Sequence, residues 1–413
     1  MRRTALAIVL GFFLCAPWAV RAQGEIPLEF QEIKGAAPAV AADIEKTVSP
    51  LPGKPYKVKA LPADVTSHVT FFGVYLAGKP IVIMLDMTDP PKLYVDADGD
   101  FDLSNDKPAE GTLEKGTEDA ASPNTGRKTY DFGTFRAEGG EGRAPVIVRA
   151  KIQSYGRGDG GDYSYLNLYP AAVRSGQARL GDKQCTVQLV DADFDGRYDG
   201  MAARGTSRDK WDMISIGPAG QGAPGPQAAS SEQAQPLSKL MPWEDKYYAV
   251  RVAPDGSTIR FEDAHPALGT LEVGRTDVKL TLMSDSGLFA LSGQDKWQLP
   301  AGRYWTERVA LSKADDKGDV WTLSGNASTG KLKAFDVAEG QTLAMKAGPP
   351  LVVSTSADSM GARTFSVGVT VTGQAGETYT AGATKKGTME SAPTFRILDE
   401  SGKVLDAGSF QYG

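Results

Sequence analysis

The segment Val187-Gln-Leu-Val-Asp191-Ala-Asp193-Phe-Asp195-Gly196 leads from an apolar strand pattern directly into a row of alternating carboxylates. Residues 185–189 alternate between small or apolar and polar side chains, as half-buried β-strands do. The three aspartates that follow lie two residues apart in a tight turn, where their charges repel one another unless a cation lies between them. The segment therefore predicts a β protein that carries an acidic loop at the end of a strand.

Strand signals of the same kind recur along the chain. Short stretches rich in β-branched and aromatic residues are separated by Gly, Pro and Asp clusters, which is typical of antiparallel strands and their turns. Examples lie at 69–72, 81–85, 92–95, 146–150 and 163–169. Residues 36–48, which are rich in alanine, are predicted to form one short helix. We therefore predict a mainly β fold whose antiparallel sheets form several sandwich-like domains.

The first residues predict a cleavable export signal. Two arginines near the N-terminus precede the apolar stretch Leu6–Val20, and small residues at 20 and 22 fit a cut after Ala22. No later segment is long and apolar enough to cross a membrane. We therefore expect a secreted or periplasmic protein with a signal peptide at 1–22. Cleavage would leave Cys185 as the only thiol, so stability would depend on core packing or bound ions rather than on disulfides.

Composition shifts divide the rest of the chain. The predicted units are a β-rich region at 23–216, a low-complexity linker or loop at 217–244, a β domain at 245–346 and a sandwich at 347–413. The strands of the last unit resemble those of an immunoglobulin-like sandwich. Its short length leaves open that it shares a core with the preceding β domain.

The composition also excludes or disfavours several classes of function. Two His and two Cys in 413 residues exclude a zinc finger, a His-rich metal centre and a Cys-rich scaffold. The formal net charge of −6 disfavours a nucleic-acid partner. The only imidazoles, His68 and His265, lie in no Ser-hydrolase or metalloprotease motif. These points favour a non-catalytic protein.

The acidic loop that follows residue 190 fits the ligand spacing of a calcium loop. Calcium takes six to eight hard oxygen ligands. Loop positions 1, 3, 5, 7 and 9 hold Asp191, Asp193, Asp195, Arg197 (through its backbone carbonyl) and Asp199. Gly196 occupies position 6, where the chain turns sharply. Position 12 holds Ala202 rather than an acidic residue, so we expect Asp212 or Asp209 to supply the closing carboxylate.

A second copy of the pattern lies 191 − 96 = 95 residues earlier in the chain. Its predicted ligands are Asp96, Asp98, Asp100, Asp102 and Asp106. It departs from the pattern at position 6, which holds Phe101, and at position 12, which holds Lys107. Asp106, at position 11, is therefore predicted to close this loop. Two copies with identical Asp spacing favour a calcium site over simple turns.

Both loops resemble the Asp-x-Asp-x-Asp-Gly calcium loops of EF-hands, dockerins and thrombospondin type 3 repeats. The resemblance implies an exported, β-rich, calcium-binding protein with a structural or binding role. Its partners would be calcium and a cell-surface or polysaccharide ligand. The alternative is a carbohydrate-active enzyme or carbohydrate-binding protein that uses paired carboxylates and surface aromatics. Its candidate aromatics are Trp211, Trp243, Trp297 and Trp305.

Overall fold

The computed structural model describes residues 24–55, 57–114, 127–156, 162–219, 234–327, 330–361 and 364–410. The predicted signal peptide at 1–22 lies outside these residues. The chain is almost entirely β, with 56% of residues in strands and 2% in helices. The sheets are antiparallel except for one parallel strand pair. The predicted mainly β, antiparallel fold is therefore confirmed.

Fifteen of the described strands precede residue 240. They are β1 (Ile26–Pro27), β2 (Glu29–Glu32), β3 (Lys46–Val48), β4 (Val69–Leu76), β5 (Lys79–Asp86), β6 (Lys92–Val95), β7 (Ala109–Glu110), β8 (Thr112–Leu113), β9 (Arg127–Ala137), β10 (Val146–Gly156), β11 (Asp162–Pro170), β12 (Ala172–Leu180), β13 (Lys183–Val190), β14 (Met213–Pro218) and β15 (Ala234–Pro236). A short helix α1 (Ala39–Ala42) and a 3₁₀ turn (Arg208–Lys210) interrupt them. The helix predicted within 36–48 is thus wrong in extent, because Lys46–Val48 pairs with β11 instead.

The remaining strands complete the chain. They are β16 (Leu240–Trp243), β17 (Lys246–Val252), β18 (Thr258–Ala264), β19 (Leu268–Glu272), β20 (Val278–Ser284), β21 (Gly287–Leu291), β22 (Lys296–Pro300), β23 (Gly302–Ala314), β24 (Val320–Asn326), β25 (Ala334–Val337), β26 (Thr342–Ala344), β27 (Val352–Gly361), β28 (Thr364–Thr372), β29 (Thr378–Lys385), β30 (Thr388–Met389), β31 (Thr394–Leu398) and β32 (Val404–Ser409). The last two form a hairpin that turns at Ser401 and Gly402.

Two sheets form what we call the first sandwich. The four-stranded sheet β4-β5-β6-β7 packs on the five-stranded sheet β3-β11-β10-β9-β8. Their shared core includes Phe72, Ile83, Leu93, Val148, Ile152 and Leu166, all at most 1% exposed. Alternating side chains fill this core from both sheets, as expected for strands with one buried face.

The second sandwich contains the strand that the opening segment predicts. The sheet β15-β14-β13-β12-β2 packs on the sheet β1-β18-β17-β16. Cys185, Leu189 and Phe261 lie in this core, and burial raises the pKa of the Cys185 thiol. Strands on both sides of the predicted linker at 217–244 therefore share one core, and the predicted domain boundary stays a prediction.

A third unit follows residue 264, and we call it the C-terminal unit. Its largest sheet runs β21-β20-β23-β24-β29-β28-β27, with β25 and β30 paired at its sides, and a small sheet β22-β19-β26 contributes to the same core. Tyr379 lies in that core beside Leu280 and Phe289, so residues beyond 347 pack with those before it. Strand β27 is exposed along its whole length. The immunoglobulin-like arrangement of the tail stays a prediction.

The two acidic segments each begin where a strand ends. Strand β6 ends at Val95, directly before Asp96, and β13 ends at Val190, directly before Asp191. The second acidic loop crosses between the sandwiches, because Phe194 lies at 1% exposure in the core of the first sandwich. The fold therefore places this loop at the junction of two cores.

We expect Phe194→Ala to lower the free energy of unfolding by about 3 kcal/mol or more, because it opens a cavity in the first core. Urea unfolding of the purified protein measures the change. Tyr75→Ala is the matched control, since Tyr75 is 68% exposed and its loss should cost less than about 0.5 kcal/mol. Equal effects of the two variants would contradict the placement of Phe194 in the core.

Candidate metal centre

The first acidic loop turns its carboxylates inward by accepting its own backbone N–H groups. Asp96 accepts from Gly99 N at 3.0 Å and from Phe101 N at 3.2 Å. Asp100 accepts from Asp102 N at 2.7 Å. These bonds close a tight turn, and each of Asp96, Asp98 and Asp100 offers a carboxylate oxygen within 4.8 Å of the others.

The second loop repeats this arrangement. Asp191 accepts from Gly196 N at 2.8 Å, and Asp195 accepts from Arg197 N at 2.7 Å. The carboxylates of Asp191, Asp193 and Asp195 again offer oxygens within 4.8 Å of one another. The equivalent bonds run from position 6 to position 1 and from position 7 to position 5 in both loops. The repeated sequence therefore forms a repeated structure.

The two loops share their backbone turns although Gly and Phe have exchanged places. Position 4 is left-handed in both loops, with φ of 77° at Gly99 and 63° at Phe194, and position 6 is left-handed with φ of 64° at Phe101 and 81° at Gly196. A non-glycine residue in this region costs about 1–2 kcal/mol. Phe101 adopts the left-handed conformation despite this cost. The presence of Phe instead of Gly at position 6 therefore does not change the shape of the first loop.

Position 196 requires glycine both because its φ is positive and because there is no room for a side chain. A Cβ at this position would lie 2.7 Å from the backbone oxygen of Ala144, and Ala144 N donates to Gly196 O at 2.8 Å. The second loop is therefore held tightly against the turn between β9 and β10.

Asp212 lies where a fourth carboxylate of the second loop is expected. It is 1% exposed, and it accepts from Ala192 N at 3.2 Å and from Gly200 N at 2.7 Å. Burial, followed by the charge of Asp191, raises the pKa of Asp212 well above its usual range. Asp209, the other candidate, lies on the exposed 3₁₀ turn. The structure thus brings Asp212 to the cluster.

Asp106 has the corresponding place in the first loop. Burial and the charges of Asp96, Asp98 and Asp100 raise its pKa to about 6. Its Oδ2 is buried and accepts no hydrogen bond from the described residues. Asp106 therefore faces the other three carboxylates and keeps one oxygen free of protein donors.

Three of the predicted ligands have other contacts. Arg197 forms a two-bond ion pair with Asp199, at 3.0 Å and 2.7 Å, and Asp102 accepts from Ser104 N at 3.0 Å. The ligand roles predicted for the Arg197 carbonyl, for Asp199 and for Asp102 stay predictions. Position 12 of the second loop, Ala202, packs in a small apolar cluster.

Sequence reasoning missed the basic residues around the second loop. Arg143 lies 3.0 Å from Asp195, and Lys210 lies 3.7 Å from Asp193. Lys46 donates to the backbone oxygen of Asp193 at 3.2 Å across 147 residues of sequence. No local pattern could have indicated Lys46 or Arg143, because tertiary packing alone brings them to the loop.

The basic side chains pair with Asp193 and Asp195, and the innermost carboxylates, those of Asp191 and Asp212, have no positively charged partner among the described residues. Among the described residues, no Lys, Arg or His nitrogen lies within 4.0 Å of the Asp191 or Asp212 carboxylate. Burial, and then the charge of Asp193, raises the pKa of Asp191 well above its usual range. Asp191 and Asp212 are only 6% and 1% exposed. Such a group of carboxylates favours the uptake of either protons or a cation.

The chain between the second loop and Asp212 also reaches the C-terminal unit. The Arg204 guanidinium lies 3.8 Å from the centre of the Trp305 ring, and Arg208 forms a 2.8 Å ion pair with Glu307. Trp211 packs with Met283 and other apolar residues of the same cluster as Ala202. We call residues 203–211 the bridging segment, because they connect the acidic cluster to strands of the third unit.

No protein-family model matches the chain, and comparisons with curated proteins and with solved structures find no match. The resemblance to exported calcium-loop proteins therefore stays a prediction, carried by the loop residues alone. Within the described residues, no helix combines the length and apolar composition that crossing a membrane requires. Both acidic clusters could hold a metal ion.

We expect Asp106→Asn, with a chelator present, to stabilise the protein at neutral pH. The folded-state pKa of about 6 exceeds the unfolded value of about 3.9, so ionisation of Asp106 reduces stability as the pH rises from about 4 to about 6. The advantage of the variant should therefore grow over this range and level off above about pH 7. Urea unfolding at several pH values measures it.

Asp336→Asn serves as the control, since the Asp336 side chain is 69% exposed. This variant should show no such growing advantage. If Asp106→Asn were instead less stable at about pH 8 in chelator, the placement of Asp106 beside the other carboxylates would be wrong.

Proposed function

We propose that both acidic loops bind calcium and that the bound ions fix the arrangement of the three β units in an exported structural or binding protein. The observation that carries the proposal is the cluster of Asp191, Asp193 and Asp195, whose carboxylate oxygens lie within 4.8 Å of one another. Asp191 and the neighbouring Asp212 are buried, and neither has a basic partner among the described residues. A divalent cation would turn their repulsion into attraction. The first loop offers the same donor set.

The donor chemistry favours calcium over other ions. Asp191, Asp193, Asp195 and Asp212 supply hard oxygens in the second loop, and Asp96, Asp98, Asp100 and Asp106 supply them in the first. Calcium accepts many carboxylate and carbonyl oxygens in flexible geometry, whereas magnesium retains its waters and rarely fills an all-protein site. Zinc prefers His and Cys ligands, and neither loop contains either.

The surroundings of the second loop support a structural role. Phe194 packs in the first sandwich, β13 belongs to the second, and Arg204 of the bridging segment contacts the C-terminal unit. An ion shared by Asp191 and Asp212 would tie the loop to the far end of the bridging segment. Calcium binding would therefore stabilise the contacts among all three units.

Export fits this role because calcium is available outside the cytoplasm at concentrations that weak sites can use. The proposal rests on the pattern of residues 1–22. We expect protein recovered from secreting cells to begin at Gln23, as measured by intact mass and N-terminal peptide sequencing. An intact Met1 in the recovered protein would contradict export by this signal.

We expect calcium to raise the melting temperature of chelator-treated protein in two separable parts. At a free calcium concentration one hundred times the Kd, each site would add about 2.7 kcal/mol of stability. Asp191→Asn should remove one part of the shift and Asp96→Asn the other, because each removes a position 1 ligand. Differential scanning calorimetry during calcium titration measures both.

The control is the exposed Asp336→Asn variant, which should keep the full calcium response. Magnesium at the same concentration should give a smaller shift than calcium. An unchanged melting temperature on adding calcium would refute the proposal. Loss of both parts in either single variant would show that the loops act as one site.

A further inference from the structure

The outer face of the five-stranded sheet in the first sandwich carries rows of aromatic and polar side chains. The opposite face packs in the core, so alternate residues of β10 and β11 point outward. In register across these strands lie the pairs Arg149 and Tyr169, Gln153 and Tyr165, and Tyr155 and Tyr163. The partner of Lys151 in this register is Asn167, which is only 2% exposed. From Arg149 to Tyr155 the rows extend about 20 Å. We call this surface the tyrosine face.

Three tyrosines at one end form a connected aromatic patch. The Tyr163 and Tyr165 ring centres lie 4.9 Å apart, and those of Tyr155 and Tyr165 lie 6.2 Å apart, in edge-to-face contacts. Tyr163 is 39% exposed. By contrast, Trp211 and Trp297 are only 6% and 8% exposed, so two of the tryptophans suggested by the sequence are packed inside.

The cations of the tyrosine face are already paired. Arg149 contacts the Asp131 carboxylate at 2.5 Å, and Lys151 contacts Glu114 at 2.6 Å. The Lys151 ammonium also lies 5.5 Å from the centre of the Tyr169 ring. A phosphate or sulfate polymer would need unpaired cations to bind here. The pairing therefore favours a neutral ligand that exchanges hydrogen bonds.

Two cavities flank the paired charges and meet at Arg149. One, of about 210 Å³, is lined by Thr134, Lys151 and Tyr169, and the other, of about 490 Å³, by Glu114 and Asp131. Both cavities lie at the Arg149 end of the rows, and the aromatic patch lies toward the opposite end. The bonds from Arg149 to Asp131 use Nε and Nη2, so Nη1 is the guanidinium group that would donate to a ligand hydroxyl.

We infer that the tyrosine face binds a neutral polysaccharide chain. Sugar rings present C–H groups that stack on aromatic faces and hydroxyls that bind amide, guanidinium and carboxylate groups, and this surface holds both kinds of partner. Apart from the buried Ile147 at one end, the rows of β10 and β11 contain no aliphatic side chain, whereas protein interfaces have apolar centres. The inference is independent of calcium and places the binding role on a defined surface.

Affinity electrophoresis tests it with gels that contain dextran, laminarin, xylan or galactomannan, each a neutral polysaccharide. We expect at least one of them to retard the full-length protein in low and high salt alike. Tyr163→Ala and Tyr155→Ala should each weaken the retardation roughly tenfold. Tyr163→Phe should retain most of it, because the ring remains.

Tyr75→Ala is the matched control, since Tyr75 is 68% exposed on a strand of the other sheet, and it should be retarded like the parent chain. Retardation should be the same in calcium and in chelator, which separates a failure of the calcium proposal from a failure of this one. The inference is overturned if none of the four polymers retards the protein, or if both alanine variants behave like the parent. Binding only to acidic carboxymethylcellulose, or only to denatured collagen, would also overturn it.

Discussion

Four carboxylates meet where β13 ends, and their mutual repulsion is the constraint on which the junction of the molecule depends. Two unit charges 4 Å apart repel by about 4 kcal/mol at an effective dielectric constant of 20. Asp191 and Asp212 lie almost entirely out of water, so solvent screens them little. The backbone donors of Gly196 and Gly200 offset part of this cost, and a cation would offset the remainder.

The two loops apply the same chemistry at different scales. The first loop closes around a local segment, because Asp106 lies only ten residues from Asp96. Its residues Phe101 and Leu103 form backbone hydrogen bonds with residues 59 and 60, which lie against the outer face of the sheet β4-β5-β6-β7. The second joins two cores and reaches a third unit through Arg204. Identical spacing therefore yields a local clamp in one place and a junction in the other.

Sequence patterns predicted what depends on neighbours along the chain. The alternation in β13, the strand-to-loop transitions at Val95 and Val190, and both carboxylate clusters follow from local spacing. The closing role of Asp106 was also predictable, since it lies within the same loop. The helix predicted at 36–48 failed in its second half because strand pairing outweighed local propensity.

What the sequence could not predict depends on distant contacts. Lys46 reaches the second loop from 147 residues away, and no local pattern indicates that Phe194 enters the first core while β13 belongs to the second. The tryptophans drew attention as large aromatics, yet the exposed aromatic patch consists of Tyr155, Tyr163 and Tyr165. A tyrosine on a strand gives no sign of which face it occupies until the sheets are packed.

The packing of Phe194 in the first core also has a consequence for the order of folding. The first loop needs only the β5–β6 hairpin and the ten residues after it, so it can assemble early at small entropic cost. The second loop requires Phe194 to pack in the core of the first sandwich. It also requires β14 to pair with β13, because Asp212 directly precedes β14. Its three local carboxylates can cluster within their own turn, but the site gains Asp212 and its anchor in the first core only as both sandwiches form. Ion uptake at the second loop would mark the completion of the fold, whereas uptake at the first would mark its beginning.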